Sequence, residues 1–167
     1  MAGALIVTAE LGATDFAWLD GQRRLYFPPE RNQLPAHLTL FHALPPSLEA
    51  EVCSQLKAHC AGPRPSATVA GLINLGGGVA YRAVSVELDS IRESIADHFH
   101  GSLSAQDANG WRAHVTIQNK VTPRDATALC NRLDQDFRPR ALAIHGLALH
   151  RYLGGPWETL GRWAFRA

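Results

Sequence analysis

The sequence predicts a single mixed α+β domain built from two similar halves. Segments with the period of two that strands have alternate with apolar stripes at helical spacing, giving β-α-β-α-β twice. Residues 36–56 and 113–133 align without a gap, which indicates an internal duplication. The chain has 167 residues and is 46% hydrophobic, enough for one sizeable core. We therefore predict one domain over residues 1–167, with an internal repeat of roughly 1–75 and 78–167.

The repeat is strongest around a shared His-x-Thr pattern. The segments AHLTLFHALPPSLEAEVCSQL and AHVTIQNKVTPRDATALCNRL are related by an offset of 114 − 37 = 77 positions. The same offset places one run of strand-like residues on another, namely Val7, Thr8, Glu10 and Leu11 on Val84, Ser85, Glu87 and Leu88. Two such halves would pack about a pseudo-twofold axis, which would bring the two His-x-Thr segments face to face.

The first half should contain a buried strand, a helix, a proline-rich loop, the first motif strand and a second helix. These predicted elements lie at residues 4–11, about 14–24, 26–35, 36–43 and 47–61. Thr14 or Asp15 is the expected cap of the first helix, and Ser47 of the second. Phe16 and Leu19 should face inward.

The second half should contain a hairpin, a helix, a polar flexible segment, the second motif strand, another helix and a closing hairpin. The hairpins are predicted at 66–88, broken at 76–78, and at 140–165, while 101–110 is the flexible segment and 112–121 the motif strand. Ser90 with Glu93 is the expected capping box of one helix, and Thr122 with Pro123 should start the other.

Charge and cysteine content exclude several classes of function. The formal net charge of +1 provides no broad basic field, so a nucleic-acid partner would be short or held locally. The three cysteines have no CxxC spacing and lie on helical stripes, which predicts buried free thiols in a reducing compartment. The opening residues lack the pattern of a secretion signal or a membrane span. We expect a cytoplasmic, monomeric protein without membrane contact.

Alternation along the motif strands predicts which side chains share a face. One face should carry His37, Thr39 and Phe41, with His42 on the opposite face, and the second motif should present His114, Thr116 and Gln118 together. A lone histidine on a strand is more often structural. Two at equivalent positions, each two residues before a hydroxyl, indicate a shared functional site.

Two facing imidazoles suit in-line attack on a phosphodiester. One takes a proton from the nucleophile while the other protonates the leaving oxygen, and the threonine hydroxyls donate to the non-bridging oxygens. This chemistry needs no metal and no other cofactor. A zinc site that recruits His42, His145 and His150 is the rival interpretation, but no HExxH, cysteine pair or neighbouring acidic residue supports it. The sequence gives even less support to a cysteine nucleophile or to a phosphate-binding loop at residues 76–78.

The paired motifs AHLTLFHAL and AHVTIQNKV resemble the two signatures of the 2H phosphoesterase superfamily, in particular its bacterial 2'-5' RNA ligase and cyclic phosphodiesterase branch. The resemblance covers nearly the whole chain. It implies a two-lobed fold with two mostly antiparallel sheets and outer helices around a central cleft. It also implies that His37 and His114 are the catalytic acid and base, with His37 as the proton donor, and that Thr39 and Thr116 hold the phosphate.

The sequence departs from the family pattern at the edge of the site. Alanine replaces the common proline before each histidine, and Phe41-His42-Ala43 replaces Phe-Leu-Gly. Candidate residues of the substrate rim are Phe41, Gln118, Arg112 and Tyr152, with Tyr26, Phe27, Trp111, Lys120, Arg151 and Trp157 as further flanking candidates.

The function expected from these observations is a metal-independent phosphodiesterase. Its substrate would be an RNA end or small nucleotide with a 2',3'-cyclic phosphate or a 2'-5' linkage, and the reverse reaction would be 2'-5' ligation. The alternative is a module on the same fold that binds RNA or a nucleotide phosphate without turnover. The natural substrate, its base, the direction of reaction, the division of acid and base roles, and the oligomeric state stay open at this point.

Overall fold

The computed structural model describes residues 3–167, which contain seven strands and five helices. The strands are Leu5–Leu11 (β1), Leu38–Leu44 (β2), Ser66–Asn74 (β3), Val79–Val84 (β4), His114–Gln118 (β5), Arg140–Tyr152 (β6) and Trp157–Ala164 (β7). The helices are Ala13–Tyr26 (α1), Glu49–Cys60 (α2), Val86–His98 (α3), Ala105–Ala108 (α4) and Pro123–Asp136 (α5). Short 3-10 turns at Pro29–Arg31 and Pro46–Leu48 complete the elements.

The strands form two antiparallel sheets that share β6. The strand order is β2-β1-β6-β3-β4-β5, and β7 also pairs with β6. The first part of β6, Arg140 to Ala143, pairs with β3, while the part from Ile144 to Arg151 pairs with β1. All strand pairs are antiparallel. The expected α+β fold with two mostly antiparallel sheets and surrounding helices is therefore confirmed.

The strand order has the symmetry that a duplicated unit produces. Exchanging β2 with β5, β1 with β4 and β6 with β3 leaves the order β2-β1-β6-β3-β4-β5 unchanged. The motif strands β2 and β5 therefore occupy equivalent positions at the two ends of this path. Each motif strand pairs with the first strand of its half, β2 with β1 and β5 with β4.

The expected offset of 77 positions is wrong for those opening strands. Thr8 of β1 lies opposite Thr39, whereas Ala80 of β4 lies opposite Thr116, so the two strands are related by 80 − 8 = 72 positions. Ser85 follows β4 and caps α3, because its Oγ accepts from the Leu88 backbone N–H at 3.0 Å.

Helix α3 begins five residues before the expected capping box. Val86, which falls within the predicted hairpin 66–88, is instead the first residue of the helix and is 77% exposed. Ser90 and Glu93 therefore lie inside the helix rather than at its start. The acidic residues Glu87 and Asp89 occupy its first turn, where they complement the positive end of the helix dipole.

Two further caps differ from the sequence prediction. Helix α1 starts after Gly12 without a side-chain cap, and Asp15 instead accepts a hydrogen bond from the backbone N–H of Ala143 at 2.7 Å. Phe16 is 36% exposed rather than turned inward, whereas Leu19 is fully buried. Before α2 the chain forms a 3-10 turn that contains Ser47, so this serine does not cap the helix.

Three other local predictions are confirmed. Thr122 caps α5 by accepting from the Asp125 N–H at 3.1 Å, and Pro123 is the first helical residue. Both hairpins turn at glycines, and Gly76 and Gly154 have the positive φ values of 89° and 90° that favour this residue. The buried residues Val52, Leu56 and Cys60 form the stripe of α2.

The segment 101–110 is structured, contrary to expectation. It contains α4, capped by Ser104, whose Oγ accepts from the Asp107 N–H at 3.2 Å. Asp107 is only 1% exposed, so the middle of this polar stretch is anchored in the protein. A charged side chain buried to this extent needs hydrogen-bonding partners.

The three cysteines are free thiols. Cys60 is buried, and this burial raises the pKa of its thiol to about 11. Cys53 and Cys130 are half-buried, so the prediction of full burial holds for one of the three. Within residues 3–167, no helix combines the length and apolar character needed to cross a bilayer.

Candidate active site

A β-bulge follows the threonine of each motif. Thr8 lies opposite Thr39, but the next residue back along β1, Val7, lies opposite Phe41, so one additional residue is inserted in β2. The second half repeats this irregularity after Thr116, between β4 and β5. A bulge reverses the faces of all residues beyond it, because side chains in a strand alternate with a period of two.

The two bulges overturn the predicted faces of three residues. Phe41 is fully buried and Gln118 is 7% exposed, so neither belongs to the substrate rim. His42, predicted to face away, instead lines the same cavity as the catalytic candidates. The side-chain Oε1 of Gln118 is buried without a hydrogen-bond partner among the described residues.

The four principal candidates meet in one small cavity. This cavity of about 140 Å³ lies between the two motif strands. It is lined by Ile6, His37, Thr39, His42, His114, Thr116 and Trp157. Two imidazoles and two hydroxyls from opposite halves of the chain thus face the same space, as the duplication predicts.

The imidazoles of His37 and His114 are held in the same way. The Nδ1 atom of His37 lies 2.8 Å from the Pro35 carbonyl oxygen, and Nδ1 of His114 lies 2.8 Å from that of Arg112. A carbonyl oxygen only accepts, so each Nδ1 must carry the proton it donates. Each Nε2 is therefore left to accept a proton when the ring is neutral and to donate one when it is charged.

His37 is neutral in the free protein at neutral pH. The pKa of His37 is lowered to about 4, chiefly by burial and to a smaller extent by the nearby Arg23, His42 and His114. The hydrogen bond to the Pro35 carbonyl opposes this shift only in part. A neutral imidazole with a free Nε2 has the form that a general base requires.

Side-chain donors from each half support the motif strand of the other half. Arg23 of α1 donates to the Thr116 carbonyl at 3.0 Å and stacks over Phe27, 4.3 Å from its ring centroid. The Thr39 carbonyl accepts from the Trp111 indole at 2.8 Å. Burial lowers the pKa of the Arg23 guanidinium despite the opposing carboxylate of Asp20. Such contacts across the cleft fix the separation of the motif strands.

Residues 13–156 match the family model described as the 2'-5' RNA ligase superfamily. The chain belongs to the 2'-5' RNA ligase superfamily. This membership confirms the resemblance to the 2H phosphoesterases. No curated protein matches the chain at the level of overall sequence.

Solved structures share the fold of this superfamily member over its whole length. Escherichia coli LigT in complex with 3'-AMP is 18% identical, with a TM-score of 0.65 and coverage of 100% of both chains. A structure described as a phosphoesterase is 19% identical, with a TM-score of 0.64 and 100% coverage of both. The Thermus thermophilus protein TT0787 is 15% identical, with a TM-score of 0.61 and 98% coverage of both. At these identities the likeness establishes the fold.

Trp157 separates the small cavity of this 2'-5' RNA ligase superfamily member from a larger one. Its ring meets His37 edge-on with centroids 4.9 Å apart, and it lies 5.3 Å from the ring of His150. The larger cavity, of about 510 Å³, shares His37 and Trp157 and also contains Phe16 and Arg162. Trp157 is thus the flanking aromatic that lies beside the cavities.

His150 packs against Trp157, and both of its ring nitrogens are hydrogen-bonded. Its Nε2 lies 2.9 Å from the Thr8 hydroxyl and its Nδ1 lies 3.0 Å from that of Thr159. Burial lowers its pKa, and the positive charge of Arg162 adds to this effect although Glu10 opposes it. His150 therefore serves the packing of the site rather than proton transfer.

The other rim candidates lie outside the two cavities. Among residues 3–167, neither cavity is lined by Tyr152 or by the Arg112 side chain, although Arg112 holds His114 through its carbonyl. Arg151 forms ion pairs with Glu49 and Glu158, so its charge is already compensated. The same described range contains no group of three or more His, Cys, Asp or Glu side chains arranged to hold a metal ion.

Asp107 is the site residue that the sequence did not reveal. Its Oδ1 accepts from the His42 backbone N–H at 2.9 Å and lies 3.2 Å from His42 Nδ1, while its Oδ2 accepts from the Ala43 N–H at 3.0 Å. Burial alone would raise the pKa of Asp107, but these hydrogen bonds outweigh it and the pKa is lowered. The only sequence signal was Ser104 three residues before Asp107, which marks a helix start.

Proposed function

We propose that this protein is a phosphodiesterase that uses two histidines as acid and base on 2',3'-cyclic phosphates or 2'-5' linkages of RNA ends or small nucleotides. One observation carries the proposal. His37 and His114 each commit Nδ1 to a backbone carbonyl and share with Thr39 and Thr116 a cavity of about 140 Å³. The structures of the similar LigT in complex with 3'-AMP, ATP and phosphate support a substrate of nucleotide chemistry.

Opening of a cyclic phosphate requires two proton transfers, which the two rings supply. A water oxygen attacks phosphorus, and the neutral imidazole accepts the water proton at Nε2. The bond from phosphorus to one ribose oxygen breaks, and that oxygen takes the Nε2 proton of the charged imidazole. The hydroxyls of Thr39 and Thr116 donate to the non-bridging oxygens as negative charge grows there. Exchange with solvent then resets both rings, and no metal takes part.

We assign the base in hydrolysis to His37. Its pKa of about 4 makes it the neutral ring in the free protein. This assignment is opposite to the one that the family resemblance implies, in which His37 is the proton donor. In the reverse direction base and acid exchange, so His37 would then donate the proton.

Turnover of 2',3'-cyclic nucleotides in excess EDTA tests the proposal. The parent protein should hydrolyse them at the same rate with and without the chelator, and a loss of activity in EDTA would overturn the metal-free mechanism. His37→Ala and His114→Ala should each lower the rate by roughly 10²- to 10⁴-fold, the usual contribution of one positioned acid or base. The double variant should be little worse, since residues that act as a unit give non-additive losses.

The same assay separates the enzyme from a binding module. A parent protein that binds nucleotides but turns over no cyclic or 2'-5' substrate would favour the non-catalytic alternative. Near-normal turnover in either histidine variant would remove the acid and base pair from the mechanism.

A further inference from the structure

His42 is a third imidazole in the cavity, and the bulge in β2 places it there. The extra residue after Thr39 returns His42 to the face of the strand that lines the cavity. Its side chain is 37% exposed, so a ligand in the cleft has access to it. It lies near enough to His37 for a charge on one ring to disfavour a charge on the other.

A buried carboxylate sets the orientation of the His42 ring. Nδ1 lies 3.2 Å from Oδ1 of Asp107, whose side chain has no solvent exposure. A carboxylate only accepts hydrogen bonds, so His42 Nδ1 carries a proton and Nε2 is the free nitrogen. His37 and His114 follow the same rule with backbone carbonyls, but only His42 has a formal negative charge behind it.

Asp107 is itself fixed from several directions. Its two oxygens accept the backbone N–H groups of His42 and Ala43, and Arg92 donates to its carbonyl oxygen at 2.7 Å. Arg92 also donates to the Leu40 carbonyl at 3.0 Å, so one guanidinium joins α4 to the bulge. The carboxylate, the bulge and the ring of His42 thus form one rigid unit.

The small cavity offers few charged groups to a phosphate. Among the described residues its lining contains no Lys, Arg, Asp or Glu, so the three imidazoles are the ionisable side chains that face it. A phosphodiester brings a negative charge, and hydrolysis to a monoester increases it. His37 and His114 are assigned to proton transfer. His42 is the remaining imidazole of the cavity, and its Nδ1 faces Asp107 while its Nε2 can contact a phosphate oxygen.

We infer that His42 contacts the substrate and donates its Nε2–H to a non-bridging phosphate oxygen, with Asp107 as the positioning residue behind it. This inference rests on the proposed function and adds a specificity-determining residue to the same site. The position equivalent to His42 in the second motif is 42 + 77 = 119, and Asn119 does not line the small cavity. His42 therefore breaks the pseudo-symmetry of the cleft and binds the phosphate toward the β2 side.

Binding of inorganic phosphate, measured by calorimetry, tests the inference without turnover. His42→Gln removes the imidazole but keeps a polar side chain, and it should weaken phosphate binding roughly tenfold to a hundredfold, as expected for loss of one hydrogen bond to a charged group. His100→Gln, which alters an exposed histidine outside both cavities, should bind like the parent. Equal phosphate affinity in His42→Gln and the parent would overturn the inference.

The Asp107→Asn variant tests the positioning role. It should reduce phosphate affinity in the folded protein and change the ¹⁵N shifts of His42, because Nδ1 loses its carboxylate partner. A purely structural role would lower the unfolding free energy but leave the affinity and the His42 spectrum unchanged, which would overturn the role assigned to Asp107. If this variant does not fold, His42→Gln still decides whether the imidazole binds phosphate, since it leaves the carboxylate and its backbone donors in place.

The outcomes distinguish this inference from the proposed function. Weaker phosphate binding in His42→Gln, with no turnover by the parent, would support the phosphate contact and refute the enzyme. Normal turnover by the parent, with unchanged phosphate affinity and unchanged kcat/KM in His42→Gln, would refute the contact and leave the enzyme intact.

Discussion

His37 should make the folded protein sensitive to acid between about pH 6.5 and 4. Burial lowers its pKa from 6.5 to about 4, and unfolding restores the ordinary value. Between these values the unfolded chain holds a proton at this site that the folded chain does not, so the free energy of unfolding rises with pH. The contribution is fully present above pH 6.5 and is lost as the pH falls toward 4.

The size of this effect follows from the two pKa values. A difference of one pH unit corresponds to about 1.4 kcal/mol, so the interval from 6.5 to about 4 corresponds to roughly 3 kcal/mol. His37 is half-buried rather than fully enclosed, and contact with water moderates the penalty on its charged form. We therefore expect a loss of roughly 2 to 3 kcal/mol between pH 7 and pH 4 from this residue.

Urea denaturation of the parent and of His37→Gln at pH 7, 6, 5 and 4 isolates the contribution. His59 and His150 also have pKa values lowered by burial, but they occur in both proteins and cancel in the difference. The parent should lose about 2 to 3 kcal/mol more than the variant on acidification. His100→Gln, at an exposed histidine, should behave like the parent. If parent and His37→Gln lose the same stability, His37 is not buried as a neutral base and its assigned role is wrong.

Three further predictions follow from contacts in and behind the cavity. Thr39→Val and Thr116→Val should each lower turnover of a 2',3'-cyclic nucleotide by about tenfold to a thousandfold, because each removes one hydrogen-bond donor to the charge that develops on the phosphate. An unchanged rate would show that these hydroxyls do not hold the phosphate. Arg92→Met removes the donor of two buried carbonyl oxygens and should reduce the unfolding free energy by about 2 to 4 kcal/mol in urea denaturation, whereas a change below about 0.5 kcal/mol would contradict that role. Gly78→Ala would place a Cβ 1.9 Å from a neighbouring backbone oxygen and should cost about 3 kcal/mol or more of unfolding free energy in the same measurement. The control Gly71→Ala, whose Cβ would have no atom within 4 Å, should not destabilise the protein. Equal stability of the two variants would refute the close approach at Gly78.

The sequence predicted features that depend on neighbouring residues. The start of α5 at Thr122 and Pro123 was correct because capping is a contact over three residues. The turns at Gly76 and Gly154 were also correct because positive φ strongly selects glycine. The repeat itself was visible since both motif strands kept the same residues at the same spacing.

Two features of the site depended on contacts that no local pattern records. A period of two cannot show where a strand contains an extra residue, so the bulges placed Phe41, Gln118 and His42 on faces opposite to those predicted. Asp107 lies 65 positions from His42, and its partners are mainly backbone N–H groups, which every strand carries. The offset of 72 between the opening strands was missed because β4 ends at Val84 and Ser85 caps α3, where the sequence pattern suggested a continued strand.

The strand shared by the two sheets has a consequence for how the chain reaches this structure. β6 is the neighbour of β1, and the hydrogen-bonded pair Thr8 and His150 is separated by 142 positions. During synthesis the first strand leaves the ribosome long before its central partner exists, and the edge it presents stays open throughout that interval. Pairings over such distances carry a large loop-closure entropy and slow the folding rate. We expect refolding of this protein to be slow for its size, and a version circularly permuted so that β6 precedes β1 to fold faster and aggregate less.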